Sequence, residues 1–138
     1  MASKTQISRV QKLQNFEARV AHGGVSKYDH ITPVLNKLKW LKVDEKITYD
    51  ILVLVYKILN NHLPPWLFDF NYNRDVRIAT TRQNSHLHVP RTSTNIGSQS
   101  FTVKGPDTWN RLSPSIRNKP NLSGFKNALQ NDFLTRRI

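Results

Sequence analysis

Apolar residues recur at helical spacing through the first half of the chain. From Thr5 to Ala21 they fall at Ile7, Val10, Leu13, Phe16, Ala18 and Val20, with Arg9, Lys12 and Arg19 between them. Residues three and four apart share one face of a helix, so this spacing predicts a helix over 5–21. His22-Gly23-Gly24 ends it, because glycine takes the left-handed backbone of a helix stop without steric cost. Thr32-Pro33 predicts the start of a second, short helix. Threonine caps free amides, and proline is preset for a first turn. This helix carries Val34, Leu35 and Leu38 and runs into Trp40-Leu41.

The strongest pattern lies between Asp44 and Asn61. Ile47, Ile51, Leu54, Val55, Ile58 and Leu59 form a wide stripe, and Leu52, Val53 and Tyr56 carry it almost round the helix. A helix apolar on most faces is a central, buried one. Asp44 is placed to cap it, and Glu45 suits its positive end. Asn60-Asn61-His62-Leu63-Pro64-Pro65 stops it, since residues before proline avoid helical backbone. Pro65-Trp66-Leu67-Phe68-Asp69-Phe70 predicts one more helical turn, laid on the core by its aromatics.

The second half differs in texture. Asn71 to Ser100 is rich in Asn, Thr, Ser and Arg. Leu87, Val89, Phe101 and Val103 alternate with polar neighbours, which is the period of short strands. A β-hairpin is therefore expected over about 86–104, with Arg91 to Ser98 as its loop and a turn at Gly105-Pro106-Asp107. Thr108 to Leu112 reads as a helical turn. A last helix is expected from a Ser123 cap to Arg136, with Phe125, Leu129, Phe133 and Leu134 on one face and Arg136 and Arg137 at its negative end. The fold class that follows is mainly α: a small helical bundle around a central helix at about 44–61, with one short hairpin. It is expected as a single domain over 1–138, with a helical half at 1–70, a basic irregular segment at 71–121 and a C-terminal helix at 122–138.

Charge adds a partner to this picture. The 138 residues hold 21 Lys and Arg against 9 Asp and Glu, a formal +12. Residues 1–69 carry 10 basic and 6 acidic side chains, net +4, and residues 70–138 carry 11 and 3, net +8. A surplus of this size speaks of polyanionic partners rather than of fold. The expected contacts are Arg74, Arg77, Arg82, Arg91, Lys104, Arg111, Arg117 and Lys119, opposed only by Asp75 and Asp107 in their stretch. Arginine forks match phosphate, and Tyr72, Phe101 or Trp109 offer rings for base stacking. The plainer reading makes these cations solubilising charges around loops, and the aromatics core residues.

Other chemistry finds little support. With 0 Cys there is no disulfide framework, thiolate metal site or Cys nucleophile. The nine acids do not converge in sequence: only Asp44 and Glu45 adjoin, and neighbours on a helix point apart. His86 and His88 would share one face of a strand, but no third ligand lies nearby. Asp29-His30 lacks a recognisable nucleophile. No catalytic residue, metal or cofactor is expected. The apolar run Ile51 to Tyr56 is far short of the ~18–20 residues that span a bilayer, and the N-terminus has no apolar signal core. An intracellular location, nuclear or cytoplasmic, without membrane contact, is the expectation.

Ordered pieces along the chain resemble the C-terminal region of LINE-type, jockey-like non-LTR retrotransposon reverse transcriptases. They are Leu13-Gln14-Asn15-Phe16-Glu17-Ala18-Arg19-Val20, Tyr28-Asp29-His30-Ile31-Thr32-Pro33-Val34-Leu35, Leu38-Lys39-Trp40-Leu41 and Ile47-Thr48-Tyr49-Asp50-Ile51-Leu52. Lys57-Ile58-Leu59-Asn60, Leu63-Pro64-Pro65-Trp66-Leu67 and Val89-Pro90-Arg91-Thr92 follow. Ser100-Phe101, Gly105-Pro106-Asp107-Thr108-Trp109-Asn110-Arg111-Leu112 and Leu122-Ser123-Gly124-Phe125-Lys126 close the series. Together they span roughly residues 7–135. The resemblance implies the thumb and the segment after it, which hold a template–primer duplex of RNA or DNA by its backbone. The polymerase's metal-binding Asp pair would lie upstream and has no counterpart here, so a non-catalytic module is implied. Trp40, Trp109 and Phe101 would be core or interface residues. Other partners the resemblance allows are the remainder of such an enzyme or a second copy of the chain. The alternatives are a protein-interaction or self-associating module, and a remnant with no selected role.

Overall fold

Ser3 opens the first helix, α1 (Lys4–His22), with a reciprocal cap. The Ser3 hydroxyl accepts from the Gln6 amide at 3.3 Å, and the Gln6 side chain accepts from the Ser3 amide at 2.8 Å. Gly23, at φ 73°, ends α1 as its sequence suggests. The computed structural model describes residues 3–64, 66–67, 70–76 and 85–137, without the side chains of 74 and 76. The fold is mainly α. The elements after α1 are α2 (Ile31–Leu38), α3 (Val43–Leu59), α4 (Asn73–Val76), α5 (Asn95–Ser98), α6 (Phe101–Asn110), α7 (Pro114–Arg117) and α8 (Leu122–Thr135).

Several caps differ from expectation. α2 starts at Ile31 with His30 before it, so Thr32 and Pro33 fall inside its first turn. Proline is tolerated there because first-turn amides have no helical partner. Lys42, not Asp44, precedes α3, and its amide donates to Glu45 Oε2 at 2.9 Å. α8 begins one residue ahead of Ser123, with the Gly124 amide donating to Asn121 Oδ1 at 2.6 Å. α2 and α3 both stop on left-handed residues that carry side chains, Lys39 and Asn61, each at φ 56°. The Trp40 amide closes onto the Leu35 carbonyl at 2.9 Å, and the His62 amide onto the Lys57 carbonyl at 2.8 Å. These bonds satisfy carbonyls that a helix end leaves open.

The chain divides into two compact units: Met1–Tyr49 with Leu129–Ile138, and Asp50–Ala128. In the first, Ala18, Val34 and Leu35 form a small buried core, with Val25, Ile31, Leu38 and Trp40 packed against it. Polar contacts do much of the remaining work. Gln14 Nε2 donates to the Leu41 carbonyl at 2.7 Å, and the Val43 amide donates to Gln11 Oε1 at 2.8 Å. Arg137 does not sit in solvent at a helix end. Its side chain is 5% exposed, paired to Glu45, and donates to Asn36 Oδ1 and the Trp40 carbonyl at 3.0 Å each. Burial pushes the Glu45 carboxyl up. The Arg137 hydrogen bond, the Lys42 amide and the two positive charges outweigh this and hold it below its ordinary value.

The second unit is built on an aromatic centre. Tyr56 on α3 is 1% exposed. It stacks on Phe125 of α8 at 4.4 Å between ring centroids and meets Trp109 of α6 at 6.5 Å. The buried residues of α3 are Leu52, Val53, Val55 and Tyr56: of the expected stripe Ile47, Ile51, Leu54, Val55, Ile58 and Leu59 only Val55 is fully buried, and the expected extension through Leu52, Val53 and Tyr56 supplies the rest. A helix apolar all round leaves that choice to its partners, and the Tyr56 ring decides it.

The expected hairpin does not form. Among the described residues the only β pairing is an isolated antiparallel bridge, Tyr72 with Leu87. On its other side Leu87 is held by a side chain: its amide donates to Asn110 Oδ1 at 2.8 Å and its carbonyl accepts from Asn110 Nδ2 at 2.9 Å. The second expected strand and the Gly105-Pro106 turn are both part of α6. Gly105, Pro106 and Trp109 are its buried residues, and helical spacing overrides the local alternation. An alanine Cβ at Gly105 would meet Val55 at 3.2 Å and Phe70 at 3.3 Å, so this glycine admits a close approach of α6 to α3. Of the turn expected at Pro65–Phe70, Pro65, Phe68 and Asp69 lie outside the described residues. Trp66 is 81% exposed and so is not laid on the core, whereas Phe70 packs on Phe101 at 5.6 Å.

Asn110→Ala leaves both backbone groups of the fully buried Leu87 unpaired, and an orphaned buried group costs about 1–3 kcal/mol. A loss of about 3 kcal/mol is expected by urea unfolding, against a much smaller one for the neighbouring exposed Arg111→Ala. Glu45→Gln removes a carboxylate whose folded pKa lies below its unfolded value, so its stabilisation is complete above pH ~5 and fades as pH falls through the folded value. The stability gap between wild type and Glu45→Gln is expected to be largest above pH ~5 and to narrow as pH falls through the folded value of Glu45. A gap that stays constant with pH would remove Glu45 from this role.

Candidate nucleic-acid interface

Of the eight expected contact residues, Arg77 and Arg82 lie outside the described residues, and Arg74 is described only as backbone on α4. The other five are spread over three places. Arg91 is exposed in the segment ahead of α5, and Lys104 is half-buried on α6. Arg111 caps the C-terminal end of α6, 78% exposed, with Nη2 at 3.1 Å from Asp107 Oδ2. An exposed i,i+4 pair of this kind is worth only about 0.3–0.5 kcal/mol, so it leaves Arg111 able to exchange partners. Arg117 ends α7, and Lys119 follows two residues later.

Arg117 lines a cleft. The cleft holds about 400 Å³ in the second unit, with Trp109, Tyr72, Asn60 and Asn118 also on its wall. Arg117 Nε is buried with no hydrogen-bond partner among the described residues. The loop at its edge is fixed by the Tyr56 hydroxyl, which donates to the Lys119 carbonyl at 2.8 Å. An arginine on a wall shared with aromatic and amide groups suits an anionic ligand with a planar part.

The first unit holds a second cleft, of about 330 Å³, that the sequence did not suggest. Lys39, Lys46, Trp40, Tyr49, Gln14 and Gln130 line it. Lys46 Nζ lies 4.8 Å from the Tyr49 ring centre. Lys39 holds its left-handed backbone at φ 56° although it carries a Cβ, and glycine would hold it without that penalty. A residue kept in a costly conformation points to use of its side chain. The signal was present as Lys39-Trp40 and Lys46-x-x-Tyr49, but the pairs belong to different helices and the apolar pattern around them draws attention to the core.

Other chemistry is not assembled. Among the described residues no group of three His, Cys, Asp or Glu side chains gathers to hold a metal. His88 Nδ1 is buried without a hydrogen-bond partner, and no third ligand stands with His86 and His88 among those residues. Among them, too, no helix is long and apolar enough to cross a membrane. Comparison with protein-family models, curated proteins and solved structures finds no match for this chain.

Lys39→Gly separates strain from use. Relief of the left-handed backbone is expected to raise stability by up to about 1 kcal/mol in thermal or urea unfolding. Affinity for a polyanion such as heparin or duplex nucleic acid is expected to fall in the same protein. A gain in stability with unchanged affinity would make Lys39 a plain helix stop.

Proposed function

We propose that this chain is a non-catalytic module that holds RNA or DNA by its phosphate backbone, in the manner implied by its resemblance to the thumb and post-thumb region of a LINE-type reverse transcriptase. The observation that carries this reading is the pairing of cation and aromatic in both clefts, Arg117 with Trp109 and Tyr72, and Lys39 and Lys46 with Trp40 and Tyr49, in a chain of net +12. Cations follow a phosphate chain and rings accept bases of any sequence. The residues in named roles are Arg91, Lys104, Arg111, Arg117 and Lys119 as backbone contacts, with Arg74, Arg77 and Arg82 from the adjoining basic stretch. Trp40 and Trp109 are firmly packed and act as cleft walls. None of these groups supplies an acid, base or nucleophile, and the polymerase's catalytic positions have no counterpart in the chain.

Binding held by phosphates releases counterions, so affinity falls as a power of salt concentration. Titration of a labelled RNA–DNA heteroduplex is expected to show a loss of about tenfold or more between 50 and 200 mM KCl, for several phosphate contacts. Two duplexes of unrelated sequence are expected to bind alike. Charge reversal at Arg74, Arg77 and Arg82, or Arg117→Glu with Lys119→Glu, is expected to weaken binding to every sequence equally. No binding at low salt, or affinity indifferent to salt, would overturn the proposal.

A further inference from the structure

α1 is amphipathic in the inverted sense. The side it turns to its own unit carries Gln11 and Gln14, which bond the backbone of Val43 and Leu41, together with buried Ala18. The opposite side carries Val10, Leu13, Phe16 and Val20, exposed by 50%, 65%, 67% and 67%. At 3.6 residues per turn these four fall within an arc of about 120°. A contiguous apolar helix face rimmed by charge marks an interaction site, whereas scattered exposed apolar residues do not.

The charges on this face choose its occupant. Arg9 and Glu17 lie inside the apolar arc and Lys12 at its border, and none of the three makes an ion pair among the described residues; Arg9 stands one turn ahead of Leu13, outside the stretch from Leu13 to Val20. With Leu13 and Val20 at a positions and Phe16 at a d position, Lys12 occupies g and Glu17 the following e, five residues on. In a parallel helix pair those two positions face each other across the seam. A two-fold axis then makes the contact twice, each Lys12 beside Glu17 of the second copy. An anionic lipid surface would satisfy Arg9 and Lys12, while Arg19 is bonded to the Ser26 and Asp29 carbonyls, but it would leave Glu17 within the apolar face with no cation opposite. We propose that α1 pairs in parallel with α1 of a second copy of this chain, through Leu13, Phe16 and Val20, with Lys12 and Glu17 setting the orientation. This inference stands apart from nucleic-acid binding, since its surface includes none of the cations assigned to that role.

The whole chain is suited to the test, because its exposed face can be altered without touching a core. Sedimentation equilibrium of the wild type is expected to show reversible dimers. Leu13→Glu and Phe16→Glu are expected to give monomers with unchanged helical signal and an unfolding midpoint that no longer rises with protein concentration, equal to that of dilute wild type. Lys12→Glu is expected to weaken the dimer by about tenfold by setting acid against acid, and the swap Lys12→Glu with Glu17→Lys to restore it. Because the chain has 0 Cys, a single Leu13→Cys reports orientation: a parallel pair brings position 13 against itself and cross-links on mild oxidation. A wild type that stays monomeric at all concentrations overturns the proposal. So does a dimer indifferent to Leu13→Glu, a charge swap that fails to restore, or a Leu13→Cys dimer that does not cross-link. A monomer that binds phosphatidylcholine–phosphatidylserine vesicles, and loses them with Leu13→Glu, assigns the face to lipid and overturns it as well.

Discussion

Tyr56 is the joint on which the larger unit turns. Its ring is enclosed by Phe125, Trp109 and His62, from three further parts of the chain, and its hydroxyl finds the Lys119 carbonyl. A buried tyrosine needs both kinds of contact: apolar area for the ring and an acceptor for the hydroxyl. Meeting both fixes α3 against α6 and α8, and also fixes the loop that follows α7. Arg117 and Lys119 lie on that loop and its helix. A buried ring therefore positions the helix and loop that carry these two cations.

The smaller unit solves a different problem. A chain of 38% hydrophobic residues cannot close two cores with apolar area alone. Here Ala18, Val34 and Leu35 form a core of only a few side chains, and Gln11, Gln14 and Arg137 supply the rest through hydrogen bonds. Arg137 is the extreme case. It joins Glu45, Asn36 and Trp40, so the last turn of the chain reaches the start of α3. Such bonds add little net stability when made and cost much when broken. They fix one arrangement sharply, and they make the unit sensitive to acid through Glu45.

How far the sequence foretold this depends on the range of the interaction. α1, α3 and α8 follow from periodicity, because their faces repeat every three to four residues. Gly23 as a stop follows from backbone sterics. The cap of α2 at His30 and the stop of α3 at Asn61 do not, since core packing of Ile31 and a Schellman closure override residue preference. The hairpin failed for a related reason. Leu87 does have an extended partner, but half of its pairing comes from the Asn110 side chain, which no strand pattern encodes. Phe101 and Val103 alternate like a strand, yet Gly105, Pro106 and Trp109 set a helical register that buries more. Among the cations expected from charge, Arg117 lines a cleft. Lys39 and Lys46 were hidden because their cleft joins residues from α1 to α8.

Inverted amphipathicity and surplus charge have a common consequence. By using glutamines inward, α1 leaves its apolar side for a surface contact, and a helix so arranged gains most when that side is covered. If two copies share it, the cations of both lie on one particle, and a backbone that engages one copy meets the second at high effective concentration. Each copy then needs only a few loosely placed phosphate contacts, the role proposed for scattered Arg91, Arg111, Arg117 and Lys119. A lone copy with the same contacts would hold a duplex weakly at physiological salt, where screening reaches only about 8 Å. Under the proposed function, weak, sequence-indifferent sites multiplied by pairing suit this chain, because Arg91, Lys104, Arg111, Arg117 and Lys119 are spread over three places among the described residues.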